Sequence, residues 1–181
     1  MIATEPTNTN MTGGIKQSER TAQAQTVTNQ PDGPGKRIGK RGELVLFGKV
    51  MPGGAKLFRE RLPQFQAEAA YWESRVGTVH DFRAFLFDND TRILFLITYD
   101  GDFKAYVKDI ITQAHEWFDA FFPGIWEGYA GSHDPKSVKL VIDGALTSEL
   151  FYVAHPDVTV HDIRKMKKLS QAVSDLLDAA S

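Results

Sequence analysis

The sequence contains no cysteine, and its 181 residues include no long apolar run. Without thiols the chain cannot form disulfides, thiolate metal sites or iron–sulfur clusters, and it has no cysteine nucleophile. No apolar stretch reaches the roughly 20 residues that a transmembrane helix needs. The first residues also lack the cationic and apolar segments of a signal peptide. These absences predict a cytoplasmic protein that does not span a membrane.

The chain also lacks a large excess of positive or negative charge. The chain has 21 Lys and Arg against 23 Asp and Glu, a formal net charge of −2. Because a domain dedicated to DNA binding is usually clearly basic, we do not expect nucleic acid as a partner of the folded part. Apolar residues make up 42% of the chain, which is enough for a core, and the length suits one domain with or without a tail.

Aromatic residues are absent from positions 1–41, which are rich in Thr, Asn, Gln, Gly and Pro. A segment of this kind buries too little apolar surface to offset its ordering entropy. We therefore predict a disordered arm over 1–41 and a folded domain over 42–181. The arm ends in the basic stretch PGKRIGKRG, which is able to contact RNA or an acidic partner, although a solvated tail is the simpler interpretation.

The rest of the chain predicts an α+β domain. A β-rich run is followed by a helix that contains Pro63, where we expect a kink or a break. The turn Asp88-Asn89-Asp90 joins two strands of a hairpin. The predicted elements are a strand (42–52), a helix (58–76), the hairpin (78–87 and 91–99), a helix (103–121), a short helix (136–144), a strand (149–155) and a C-terminal helix (159–180). This order is a split βαβ, or ferredoxin-like, fold with an antiparallel sheet and an extra C-terminal helix.

The predicted strands are apolar on both faces. In the run 91–99, for example, Ile93 and Phe95 lie on one face, and Leu94 and Leu96 lie on the other. Since the helices of a split βαβ cover one face only, the second face needs another cover. A second copy of the chain would provide it in a twofold homodimer whose two sheets form a barrel. Alternatively, the C-terminal helix covers this face within a monomer.

Three segments carry a resemblance to a known superfamily. They are LVLFGKVMPGGAKLFRERL, GTVHDFRAFLFDNDTRILFLITYDGDFKAYVKDI and ELFYVAHPDVTVHDIRK, and they anchor about residues 42–168. They resemble the dimeric α+β barrel superfamily, which includes haem-degrading and antibiotic-biosynthesis-type monooxygenases, chlorite dismutases and dye-decolourising peroxidases, and most of all its small peroxidase-like members. The resemblance implies a homodimeric barrel, a peroxidase- or monooxygenase-like oxidoreductase activity, and haem as a candidate cofactor.

His80 and Arg83 are the candidate catalytic residues. They lie in VHDFR at an odd spacing, which places them on opposite faces of a strand. His80 shares its predicted face with Phe82. In these apolar surroundings three roles remain open for it: a haem ligand, a base whose pKa is lowered by desolvation, or a hydrogen-bonded core histidine. Arg83 is able to bind a carboxylate or to pair with Asp81 or another nearby acid, and we favour the pair.

His115, Trp117 and Phe121 are the candidate cofactor-binding residues. The second long helix supplies an axial histidine in some haem-degrading relatives, so the resemblance makes His115 a second ligand candidate, against the simpler interpretation of a partly exposed boundary residue. Trp117 and Phe121 belong to an aromatic wall that either lines a pocket for a flat apolar molecule or belongs to the core. The other histidines lack metal-ligand spacing, so we predict no metal site.

Two functions from different classes remain open. The first is an oxidoreductase-like barrel that binds an apolar small molecule, or haem, between the sheet and its helices. The second is a non-catalytic dimeric binding or assembly module with a basic disordered arm. The aromatic density and His80 favour the first, and the absence of a recognisable catalytic set favours the second.

Overall fold

Two long antiparallel strands form the centre of the structure, a computed structural model that describes residues 25–180. The strands of this part are β1 (Val27–Asn29), β2 (Lys36–Ile38), β3 (Arg41–Lys49), β4 (Val79–Phe87), β5 (Arg92–Asp100) and β6 (Ala145–Leu146). The helices are α1 (Gly54–Val76), α2 (Phe103–Gln113), α3 (His115–Phe121), α4 (Pro135–Asp143) and α5 (Val160–Ala179).

The sheet is antiparallel, with the strand order β1-β2-β3-β5-β4, and β6 pairs with β3. Helix α1 connects β3 to β4, and β5 lies between these two strands, as a split βαβ requires. The predicted α+β class is therefore confirmed. The predicted hairpin is present as well, and its turn residues Asp88, Asn89 and Asp90 all have left-handed backbone conformations, with φ of 53°, 52° and 66°.

The core lies between the sheet and helices α1, α2 and α3. Along β5 the burial alternates strictly, so that Ile93, Phe95, Ile97 and Tyr99 are buried on this side. The intervening Leu94 and Leu96 are half-buried on the opposite side, which we call the helix-free face. The sheet thus carries apolar residues on both faces, as its sequence predicted.

The prediction of a disordered arm over 1–41 is wrong for residues 25–41. This segment forms β1 and β2, and Ile38 is only 2% exposed. Asp32 accepts hydrogen bonds from the first two amides of α2, and the Gln30 amide donates to the Tyr99 hydroxyl at 3.0 Å. Polar side chains therefore attach this segment to the domain, although it contains no aromatic residue. The remaining part of the predicted arm, 1–24, lies outside the described residues.

The predicted strand over 149–155 is also wrong. The two-residue strand β6 pairs with β3 at Val45 and Leu46 instead, and the chain after it is irregular. We call residues 148–158 the strap, because they cross the helix-free face on the way to α5. The Ser148 hydroxyl donates to Glu43 at 2.5 Å at one end of the strap, and the Lys40 amide donates to the Pro156 carbonyl at 2.9 Å near the other.

The helices differ from the prediction in two places. Helix α1 continues through Pro63 without interruption, because this proline is exposed and water can solvate the carbonyl that lacks its amide partner. The helix predicted over 103–121 is broken at Ala114, whose φ of −135° and ψ of 10° are not helical, into α2 and α3. The predicted capping box of Thr159 and Asp162 at the start of α5 is confirmed.

No helix within the described residues is both long enough and apolar enough to cross a membrane.

Candidate functional site

An apolar groove lies between α1, α3 and the edge strand β4. Its volume is about 620 Å³, within the range of about 300–1,000 Å³ that is typical of small-molecule sites. We call it the aromatic groove, because its walls include Phe65, Trp72, Phe82, Trp117 and Phe121. His80 and Arg83 lie on its β4 side. The structure therefore brings together four of the five predicted site residues: His80, Arg83, Trp117 and Phe121.

Trp117 is held rigidly at this groove. Its ring stacks on Phe65 with 3.8 Å between centroids and 7° between planes, and its Nε1 donates to the Phe65 carbonyl at 3.1 Å. Phe121 packs against Phe65 as well, with 4.3 Å between the ring centroids. A wall fixed in this way keeps its shape without a ligand, which lowers the entropy lost on binding.

A β-bulge changes the orientation that the alternation predicted for His80. Val79 pairs with Tyr99 and Asp81 pairs with Thr98, so that His80 is the extra residue in β4. The odd spacing therefore does not decide its face. His80 borders both the aromatic groove and a second cavity on the helix-free face, and its Nε2 lies 2.9 Å from Oδ1 of Asp100.

Asp100 is the centre of a buried polar cluster that sequence analysis missed. Its Oδ1 also accepts a hydrogen bond from Arg41, and its Oδ2 accepts one from the first amide of α5, that of Val160, at 2.7 Å. Arg41 donates in addition to the Val158 carbonyl. The side chains of Arg41, His80 and Asp100 are 6%, 14% and 10% exposed. Their only signal in the sequence is that charged residues stand at the ends of apolar strands.

His80 is neutral at pH 7 in this cluster. Burial lowers the pKa of the imidazole below its ordinary value, and the nearby Arg41 guanidinium lowers it further, although the Asp100 carboxylate opposes both effects. Because a carboxylate only accepts hydrogen bonds, the neutral ring carries its proton on Nε2 and donates it to Asp100. This leaves Nδ1 as the basic nitrogen, and no hydrogen bond among the described residues engages it.

We expect the free energy of unfolding to fall as the pH decreases from 7 to 5. The unfolded chain protonates His80 near its ordinary pKa of about 6.5, whereas the folded protein resists protonation until a lower pH. Stability is therefore lost as the pH falls below the unfolded value, with a slope of at most one proton from this residue. Urea titrations at several pH values measure this slope.

His80→Gln is the matched variant for this measurement, because glutamine can still donate to Asp100. The charged groups around His80, namely Arg41, Glu73, Asp81 and Asp100, and the four other histidines are the same in both proteins. The difference between the two pH profiles therefore reports His80 alone. Parallel profiles between pH 7 and 5 would show that its protonation is not linked to folding.

Arg83 is paired within its own strand, as predicted. Its guanidinium donates to Asp81 at 2.9–3.0 Å, and both side chains are about half exposed. The pair lies on the wall between the aromatic groove and the second cavity. Because its charge is balanced by Asp81, Arg83 does not give the groove a site for an anion.

His115 does not lie on the aromatic groove. Its ring packs against His133 with 4.6 Å between centroids, and its buried Nδ1 has no partner among the described residues. The His80 ring, in turn, uses Nε2 to bind Asp100 and leaves only Nδ1, the nitrogen beside Cβ. His80 has no free Nε2 and His115 is not part of the groove, so neither fits an axial ligand for haem bound there. No cluster of metal-binding side chains occurs within residues 25–180 either.

Two further spaces adjoin the groove. An inner cavity of about 100 Å³ lies between the sheet and α2 to α4, and it shares Phe82, Tyr106, Ile110 and Phe118 with the groove. A strap cavity of about 950 Å³ lies between the strap and the helix-free face, with Arg41, Glu43 and Leu96 in its walls. The inner cavity is too small for a ligand of ordinary size, and the strap cavity has a mixed, charged lining.

Comparisons of the chain with family models, with curated proteins and with solved structures find no match.

Proposed function

We propose that the protein binds a small, flat and uncharged apolar molecule in the aromatic groove. The observation that carries the proposal is the groove itself: a space of ligand size whose aromatic walls are fixed by stacking and by a hydrogen bond. The charged side chains on its rim are compensated, since Arg83 pairs with Asp81 and Glu73 pairs with Arg164. Such a lining favours apolar contact over ionic recognition.

Binding without redox chemistry is the function that these residues support best. The haem-dependent activities implied by the resemblance to dimeric α+β barrels need an axial ligand, and neither His80 nor His115 supplies one in the aromatic groove. His80 is the one imidazole beside the groove within the described part of the chain, and its Nε2 is committed to Asp100. The proposal includes membership of that superfamily, whose members place their ligands between sheet and helices.

The proposal also includes a homodimer. Phe85 and Phe87 on the helix-free side of β4 remain 46% and 39% exposed, although aromatic side chains of this size are normally covered. In the homodimer, apolar side chains of a second copy of the chain cover these two rings. Light scattering at micromolar concentration is expected to give twice the chain mass of 20.2 kDa.

Filling the groove is expected to abolish ligand binding. Ala69 lies in the groove wall on α1, and Ala69→Phe places a ring in the space without removing any existing contact. The probe is N-phenyl-1-naphthylamine, a neutral aromatic dye whose fluorescence rises in apolar surroundings. We expect the parent protein to bind it and Ala69→Phe to lose at least about tenfold in affinity, since each 1.4 kcal/mol of lost contact is a factor of ten.

Ala67→Phe is the control, because Ala67 is exposed on the same helix and does not line the groove. It adds the same ring and should leave dye affinity unchanged. Equal losses in both variants, or a parent that does not bind the dye, would contradict the proposal. Haemin is added separately to the parent and to His80→Gln, and a haem absorption band that depends on His80 would overturn the conclusion that haem does not fit.

A further inference from the structure

Helix α5 leaves the body of the protein after its first turns. Val160 is buried, and Arg164 donates to the Glu73 carboxylate at 2.6 Å. From Lys165 to Ala180 every residue is exposed. At 1.5 Å per residue, this part of the helix projects about 24 Å from its point of attachment.

The projecting part carries an apolar stripe at heptad spacing. Met166, Leu169, Val173 and Leu176 follow one another by three, four and three residues, and they are 52%, 65%, 49% and 70% exposed. Alternating steps of three and four put side chains on the seam along which two helices pack. Most helical stability in proteins comes from the packing of such an apolar face against a neighbour. The stripe therefore needs a partner.

The apolar surface extends from the stripe to the strap. Met166 borders the strap cavity together with Leu150 and Tyr152, which are 85% and 72% exposed. Each of these side chains exposes on the order of 100 Å² of apolar area. With its polar margins, the combined patch approaches the roughly 800 Å² that each partner contributes to a stable interface.

The charges along α5 favour a second copy in antiparallel orientation. Lys165, Lys167 and Lys168 stand in its first half, and Asp175 and Asp178 stand in its second half. Two antiparallel copies place each basic half beside the acidic half of the other, whereas a parallel pair would place like charges side by side. The helix dipoles also oppose one another in this orientation.

We propose that α5 is the dimerisation element of this protein: two copies pack antiparallel along the stripe, and the strap residues Leu150 and Tyr152 flank the contact. The strap lies over Val45 and Leu96 of the helix-free face, while Phe85 and Phe87 lie beyond it and remain exposed. This inference rests on the proposed homodimer and adds α5 and the strap to its interface.

Leu169→Glu tests the stripe. Light scattering of the full chain at micromolar concentration should change from the dimer mass to that of the monomer, because a carboxylate in the seam is desolvated without a partner. The control is Gln171→Glu, which adds the same charge two residues later, on the opposite side of the helix, and should remain a dimer. Far-UV circular dichroism and the melting temperature confirm that each variant is folded, independently of dye binding.

Single cysteines test the orientation, since the natural chain has none. Ala172 and Ala179 flank the stripe one heptad apart. In the antiparallel pair two copies of residue 172 meet near the twofold axis, while two copies of residue 179 are separated by about 20 Å. Oxidation should therefore cross-link Ala172→Cys and leave Ala179→Cys uncoupled.

The outcomes separate the alternatives. A monomeric parent overturns both the homodimer and this interface, and a dimer that survives Leu169→Glu overturns the interface alone. Cross-linking of both cysteine variants overturns the antiparallel arrangement. Binding of the monomeric parent to vesicles with anionic lipids would assign the stripe and its lysines to a membrane surface instead.

Discussion

Asp100→Ala is expected to lower the free energy of unfolding by about 3–5 kcal/mol, the usual cost of removing one partner from a buried ion pair. The substitution leaves the Arg41 guanidinium, which is 6% exposed, without its carboxylate. It also removes the acceptors of the His80 ring and of the Val160 amide, which fixes the start of α5. Denaturant titration with tryptophan fluorescence measures the loss.

Asp102→Ala provides the matched comparison, since the two aspartates are only two positions apart. Asp102 pairs with Arg37 at the surface, where their side chains are 51% and 30% exposed. Exposed pairs contribute only about 0–1 kcal/mol, so this variant should stay close to the parent. If both variants lose the same stability, the buried cluster does not hold α5 to the sheet.

Removal of residues 1–40 is expected to lower the melting temperature by about 10–20 °C. The deletion takes away buried Ile38, the hydrogen bond from Gln30 to Tyr99, and the Asp32 cap of α2. These losses amount to about 5 kcal/mol from the side chain, the buried hydrogen bond and the cap. Each kcal/mol shifts the melting temperature by about 2–4 °C in a domain of this size.

Removal of residues 1–24 alone is the control, because it leaves every one of these contacts in place. It should change the melting temperature by less than about 2 °C, since Gln30, Asp32 and Ile38 all remain. A second variant, Gly33→Val, tests the same docking within the full chain. A Cβ at Gly33 would lie 2.0 Å from the Phe103 ring, so the variant should be destabilised as well. An unchanged melting temperature after removal of 1–40 would show that β1 and β2 do not stabilise the domain.

The parts of the fold that sequence reasoning predicted are those with strong local signals. The apolar runs of β3, β4 and β5, the Asp-Asn-Asp turn and the capping box each occupy a short stretch of chain. The predictions for residues 25–41 and 149–155 were wrong for opposite reasons. The first segment is polar and is held by long-range side-chain hydrogen bonds, such as that from Gln30 to Tyr99. The second is apolar, but its edge position beside β3 is already taken by β6.

The candidate site was predictable only in part. Aromatic density on one helix led to Trp117 and Phe121, and the apolar surroundings of VHDFR led to His80 and Arg83. The bulge that moves His80 toward Asp100 is set by strand register, which a single strand does not encode. His115 follows the break at Ala114 that divides the helix predicted over 103–121, and it is half-buried outside the groove.

The Asp100 cluster also bears on the order in which the chain folds. It joins positions that are far apart in sequence, since Arg41 and the Val158 carbonyl are 117 residues apart. The hairpin that carries Asp100 closes only a short loop, and short loops close early because they lose little chain entropy. The Asp100 cluster can receive the strap and α5 only after β3 and β5 have paired and placed Arg41 beside Asp100. We therefore expect the contact between Asp100 and α5 to form after the pairing of β3 with β5.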